Sequence, residues 1–182
     1  CVLVKQDLLI IFFLKSNMQI YVLFGLPGAG KTFVGRLLQE YFNFYLYDGD
    51  ISLPNNMKGA IQTKAVITDA MRDILFQNII KSSRQLKIKY KKIVVIQTFI
   101  KEKYRMQFLK EIPEARFILV KTKKTIREKR LMQRKEYPLD LKYARKMSLN
   151  FDTPQIDYDT ISNDIDGETN IKQQLQLLLN KR

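Results

Sequence analysis

The sequence predicts an α/β protein: a three-layer, doubly wound parallel sheet of about five strands. Two observations predict it. Short apolar runs that do not alternate with polar residues recur along the chain, as expected of strands buried on both faces. Between them lie stretches with helical spacing of their apolar residues, and strand–helix alternation is the signature of parallel α/β sheets. The bulk numbers agree: 182 residues with 46% hydrophobic and 27% charged suit one globular domain with a full core.

The strand candidates are "IYVLF" (20–24), "FYLYD" (44–48), "IVVIQ" (93–97), "RFILV" (116–120) and a weaker "DTISN" (159–163). The first helix is expected over 31–42, with Val34, Leu37, Leu38 and Tyr41 on one face. A longer helix is expected over about 60–83, carrying Ile67, Ala70, Met71, Ile74 and Leu75. Three more are expected over 101–112, 124–135 and 170–180. No internal repeat or second-domain linker is visible, so 18–182 reads as one domain.

Residues 1–17 stand apart. "LLIIFFL" (8–14) is apolar but well short of the roughly 20 residues that span a bilayer. No signal-peptide cleavage site follows it. The preferred reading begins the protein at Met18 and takes 1–17 as an unstructured, non-native extension; a lipid-anchored Cys1 is the alternative. One cysteine in the chain fits a reducing cytoplasm. The absence of histidine excludes a histidine base and makes a zinc site a poor expectation. The formal charge of +14 favours anionic partners: nucleotides, phosphorylated metabolites or, less favoured, nucleic acid.

"FGLPGAGKT" (24–32) identifies the anion. Gly25, Gly30, Lys31 and Thr32 satisfy G-x-x-x-x-G-K-[ST], with a strand before and a helix after. Gly25, Pro27, Gly28, Ala29 and Gly30 would wrap backbone N–H groups around phosphates, backed by the positive helix N-terminus. Lys31 would reach the β and γ phosphates, and the Thr32 hydroxyl would serve Mg²⁺. A dinucleotide fingerprint is excluded, because Phe33 stands where a third glycine is needed. The expected ligand is ATP.

The second strand ends in "YDGD", placing Asp48 and Asp50 at the sheet edge where such folds bind ligands. Two carboxylates there can divide the work, one serving the metal and one accepting a hydroxyl proton.

Taken together, "GLPGAGKTFVGRLL", "YLYDGD" with Pro54 beyond it, Ile100-Lys101-x-x-Tyr104-Arg105, Arg130-Leu131-x-x-Arg134 and Pro154 resemble the gluconate kinase group. That group lies in the shikimate/gluconate branch of nucleoside-monophosphate-kinase-like P-loop folds. The resemblance implies an ATP- and Mg²⁺-dependent kinase acting on a small anionic metabolite. It puts Asp48 and Asp50 near the metal and the acceptor hydroxyl; of the two, Asp48 is expected to serve the metal and Asp50 to accept the proton. Lys101 and Arg105, with Arg72 as a remnant of an acidic-arginine element, would face the acceptor's anionic group. Arg130 and Arg134 would close over the ATP phosphates from a helix–break–helix lid, about 124–146. A monomer or homodimer is expected.

The chain departs from the group after "DGD", where its histidine and tryptophan are absent. After the third strand it carries Gln97, Thr98 and Phe99 in place of small residues. Two alternatives therefore stay open: a kinase for a nucleotide, adenylylsulfate or nucleic-acid 5′-hydroxyl, and a non-catalytic nucleotide-binding protein.

Overall fold

The computed structural model describes residues 18–63, 65–133, 141–165 and 167–181. Five strands, β1 (Gln19–Phe24), β2 (Tyr45–Asp48), β3 (Lys92–Ile96), β4 (Ala115–Lys121) and β5 (Tyr158–Ser162), form one parallel sheet in the order β2-β3-β1-β4-β5. Each expected strand lies within one residue of its observed bounds. A continuous apolar run is hard to misplace when both faces of a strand are covered.

Helices cover both faces. The described helices are α1 (Lys31–Phe42), α2 (Asn55–Gln62), α3 (Asp69–Lys89), α4 (Glu102–Glu111), α5 (Lys124–Met132), α6 (Leu141–Leu149) and α7 (Glu168–Asn180). Alternate strand residues divide between two cores. Tyr21, Leu23, Val94, Ile96, Ile118 and Val120 pack against Val34, Leu37 and Leu38 of α1 and Ile171, Leu175 and Leu178 of α7. On the other face Ile20, Val22, Phe24, Ile93, Val95 and Phe117 meet α2, α3 and α4 through Met57, Phe76, Ile79, Tyr104 and Phe108. Successive side chains point to opposite faces of a strand, so an all-apolar strand feeds two cores at once.

The structure corrects three expectations. The long helix expected over 60–83 is two helices, because Thr68 starts a new one. Its hydroxyl accepts from the Met71 N–H at 3.3 Å, and Asp69 complements the dipole in the first turn. Ile67 is buried ahead of that helix rather than in it, whereas Ala70 and Ile74 are exposed. Tyr41 does not share the buried face of α1: it is exposed, and its hydroxyl donates to Glu168. Residues 1–17, Arg134 and Pro138 lie outside the described residues, so the extension and the break in the lid cannot be compared.

Candidate active site

The C-terminal ends of all five parallel strands lie along one edge of the sheet. The central strand β1 leads into the loop 25–30. Gly25, Gly28 and Gly30 have φ of 138°, 79° and 91°, values that side-chain-bearing residues rarely adopt. At Gly30 there is no room either, since a Cβ would lie 2.1 Å from the Asn163 amide nitrogen. The glycines expected to make a phosphate cradle are thus in conformations that a cradle needs. Lys31 folds back over this loop, its Nζ donating to the carbonyls of Gly25 (2.8 Å) and Leu26 (3.2 Å).

Three side chains that motif reading missed fix the loop from the β4–β5 side. The Thr122 hydroxyl and the Asn163 amide both donate to the Ala29 carbonyl, each at 2.9 Å. Arg127 Nη1 donates to the Pro27 carbonyl at 3.4 Å and its Nε to the Thr122 carbonyl at 3.2 Å. Burial pulls the Arg127 guanidinium below its ordinary value, while the neighbouring Glu128 charge acts the other way. The only sequence signal for these residues is position: Thr122 and Asn163 directly follow strands. Arg130 Nη1 donates to the Asn163 carbonyl at 3.2 Å. With Gly30, Phe33, Asn163 and Gly167 it lines a cavity of about 270 Å³ beside the loop.

On the other side of β1, Asp48 ends β2 and caps the one-turn 3₁₀ helix Gly49–Ser52, its Oδ1 accepting from the Asp50 N–H at 3.0 Å. Asp48 is level with Ile96 of β3, which is level with Leu23 of β1. The carboxylate pair therefore stands about two strand spacings, roughly 10 Å, from the phosphate loop along the same edge. Asp50 is exposed, and Gln97 Nε2 donates to its Oδ1 at 3.1 Å.

Arg105 is where the expectation fails. Its side chain is fully buried, so it does not face an acceptor. The guanidinium lies beside both the Phe24 ring (5.5 Å to its centroid) and the Phe151 ring (5.3 Å). It donates to the carbonyls of Phe99 (2.7 Å) and Asp152 (2.8 Å) and pairs with Glu102. Phe99 has φ 47°, an uncommon conformation held by this contact and by its own burial among Phe76, Phe108 and Phe117. A charged residue on a helix is usually solvated; this one is internal because each of its three nitrogens donates to a carbonyl or a carboxylate.

Lys101 is half-exposed and bonds Asp152 Oδ1 at 3.0 Å. The Glu102 N–H and then Lys101 hold the Asp152 carboxyl below the usual carboxylate range. Arg72 bonds Asp69 one turn earlier at 3.0 Å. Beside it, Tyr104 donates to Asp73 at 2.8 Å, and Lys103 bonds the same oxygen at 3.0 Å. Burial, then the Asp73 bond, pushes the Tyr104 phenol up to about 12. Lys101 and Arg72 are thus partly exposed within ion pairs, and Arg105 is internal.

No protein-family model matches the chain, and no curated protein sequence does. Solved structures do. A sugar kinase from Janibacter sp. HTCC2649 superposes with a TM-score of 0.76 at 15% identity, over 88% of this chain and 94% of that one. A gluconokinase from Sinorhizobium meliloti 1021 gives 0.69 at 16% identity, over 91% and 98%. Chaetomium thermophilum Kti12, in complex with ADP-AlF3, gives 0.64 at 16% identity, over 88% and 97%. The chain shares its fold with these three proteins.

Proposed function

We propose that the protein is an ATP-dependent phosphotransferase that moves the γ-phosphate of ATP to a hydroxyl of a small anionic metabolite, a sugar acid such as gluconate. The observation that carries this reading is the alignment of a phosphate-binding loop and the Asp48–Asp50 pair along one edge of the sheet, level across β2, β3 and β1. The fold likeness to a gluconokinase and a sugar kinase supports the substrate class, and the Kti12 complex supports nucleotide use.

Loop 25–30 and Lys31 bind the phosphate chain. The cavity lined by Phe33, Arg130, Asn163 and Gly167 takes the rest of the nucleotide. Magnesium commonly takes one or two protein oxygens alongside substrate phosphates; Thr32 and Asp48 would be those oxygens here. When bound it would neutralise charge on the transferring phosphoryl group. Asp50 accepts the proton of the acceptor hydroxyl as its oxygen bonds the γ-phosphorus. The bond from that phosphorus to the β–γ bridging oxygen breaks, and ADP leaves. Lys101 and Arg72 meet the acceptor's anionic group. Arg130, with Arg134 from the lid, covers the phosphates and offsets their developing charge. Such a reaction belongs to carbohydrate metabolism in the cytoplasm, which the single cysteine fits.

Formation of ADP from Mg·ATP is the test, with gluconate and other sugar acids, shikimate, nucleosides, adenylylsulfate and 5′-hydroxyl oligonucleotides as acceptors. Stimulation by a sugar acid is expected. Stimulation by a nucleoside, adenylylsulfate or an oligonucleotide alone would replace the acceptor class. No ADP with any acceptor, or with water, would leave a nucleotide-binding protein without phosphotransfer.

A further inference from the structure

The geometry points to Gln97 as a positioning residue for phosphoryl transfer, one that aims the Asp50 carboxylate at the acceptor. The inference rests on the reading of Asp50 as proton acceptor and adds a residue to it.

Gln97 directly follows β3 and is buried, although a glutamine side chain ordinarily reaches water. Both ends of its amide are engaged. The Thr98 N–H donates to Oε1 at 2.7 Å, and Nε2 donates to Asp50 Oδ1 at 3.1 Å. These contacts fix which way the amide points. A backbone N–H offers only a donor, so the carbonyl oxygen must face Thr98, and the NH₂ group is left facing the carboxylate. The other end of the chain segment is fixed too, because the Gln97 N–H donates to the Leu23 carbonyl of β1 at 3.1 Å. The amide is therefore a rigid arm anchored on the central strand that carries the phosphate loop.

Asp50 needs such an arm. It is exposed on a one-turn 3₁₀ helix, and an exposed carboxylate turns freely about its χ angles. Its main chain is held by Asp48 Oδ1, and Gln97 restrains the side chain. Gly49, between the two carboxylates, makes room for the arm. A Cβ there would lie 3.0 Å from Gln97 Nε2, from Ile79 Cδ1 and from the Ile96 carbonyl. The "DGD" triplet thus has a physical reason in this chain: two acidic residues flank a position where an added methyl would crowd the arm. A proton acceptor a few tenths of an ångström out of place loses rate without losing substrate, which separates positioning from binding.

The test is ADP formation by the full chain with Mg·ATP, with water and with the acceptor panel above, for four variants: Gln97→Met, Gln97→Glu, Asp50→Asn and the double variant Gln97→Met/Asp50→Asn. Gln97→Met should lower kcat about 10-fold with KM for ATP unchanged, the scale of one hydrogen bond to a charged group. Gln97→Glu keeps the acceptor for Thr98 while setting a second carboxylate against Asp50. It should lower kcat further and also lower Tm, so kcat is read at a temperature where circular dichroism shows the variant folded; this keeps the question open to test if Gln97→Met does not fold. The double variant should be within about 2-fold of Asp50→Asn, because the arm has nothing left to aim. Multiplicative losses in the double variant, or wild-type kcat in folded Gln97→Glu, would overturn the inference and leave Gln97 a packing residue. Wild-type kcat in Asp50→Asn, or no ADP from the wild type, would instead overturn the functional reading beneath it.

Discussion

The two sides of the proposed site are built by different means. On the proposed nucleotide side the partners converge on main chain: three glycines at positive φ, with Lys31, Thr122, Asn163 and Arg127 all bonding carbonyls of one loop. On the proposed acceptor side most of the contacts join one side chain to another. Gln97 meets Asp50, Lys101 meets Asp152, and Arg105 meets Asp152 and Phe99, in several cases across about fifty residues. A main-chain cradle fits any polyphosphate and needs the same few residue types each time. A side-chain surface is redrawn by single substitutions, so it is where one member of a fold differs from the next.

If that contrast is right, substitutions on the nucleotide side should cost rate and spare stability, and those in the buried part of the acceptor side should do the reverse. The largest expected effect is Lys31→Ala. ADP formation should fall by about 10³-fold, the scale of removing a preorganised charge from the transition state. The Tm should stay within a few degrees, because the Nζ bonds lie on a half-buried loop rather than in a core. A variant that melts early instead would show the lysine to be structural.

Arg105→Ala comes next and in the opposite sense. It leaves Glu102 and the carbonyls of Phe99 and Asp152 without their cation. Removing one partner of a buried pair costs about 3–5 kcal/mol, which urea denaturation would measure. Arg105→Lys should recover little of this, since an ammonium cannot reach three separated acceptors from one plane. Stability unchanged in Arg105→Ala would return this residue to the acceptor's service.

Alkaline titration gives a smaller effect. The Tyr104 phenol holds its proton to about 12 in the fold, against 10.0 for an ordinary tyrosine. Its contribution is therefore intact below pH 10 and is lost as pH rises toward 12. Over that window the Tm of the wild type should fall more steeply than that of Tyr104→Phe. Equal slopes would mean that the Asp73–Tyr104 bond does not hold the proton.

Lys101→Ala should have the smallest effect on folding. Its ion pair with Asp152 is half-exposed, and such pairs are worth about 0–1 kcal/mol. The acceptor KM should nevertheless rise several-fold while kcat changes little. An unchanged KM would confine Lys101 to its ion pair.

Element by element, the sheet was legible because its strands are continuous apolar runs, and the phosphate loop because its glycines, lysine and threonine have fixed spacing. The break between α2 and α3 was harder to read. Apolar periodicity runs on through Ile67, and only the Thr68–Asp69 start signal marks the new helix. Arg105 departs from what the resemblance implied for a clearer reason: a motif carries residue types and spacing, whereas its burial depends on Phe24, Phe151 and Asp152 arriving from elsewhere in the chain.

By itself the sequence determined the α/β class, the strand bounds and the first helix behind its glycine-rich loop. Those depend on local periodicity, main-chain conformation and short-range spacing, all written within a few residues of one another. Only the tertiary structure decided that Gln97 faces Asp50, that Arg105 is internal and that Thr122 and Asn163 hold the loop. Each is a contact between segments that the order β2-β3-β1-β4-β5 brings together. A hydrogen bond is made by direction and distance in space, and separation along the chain carries neither.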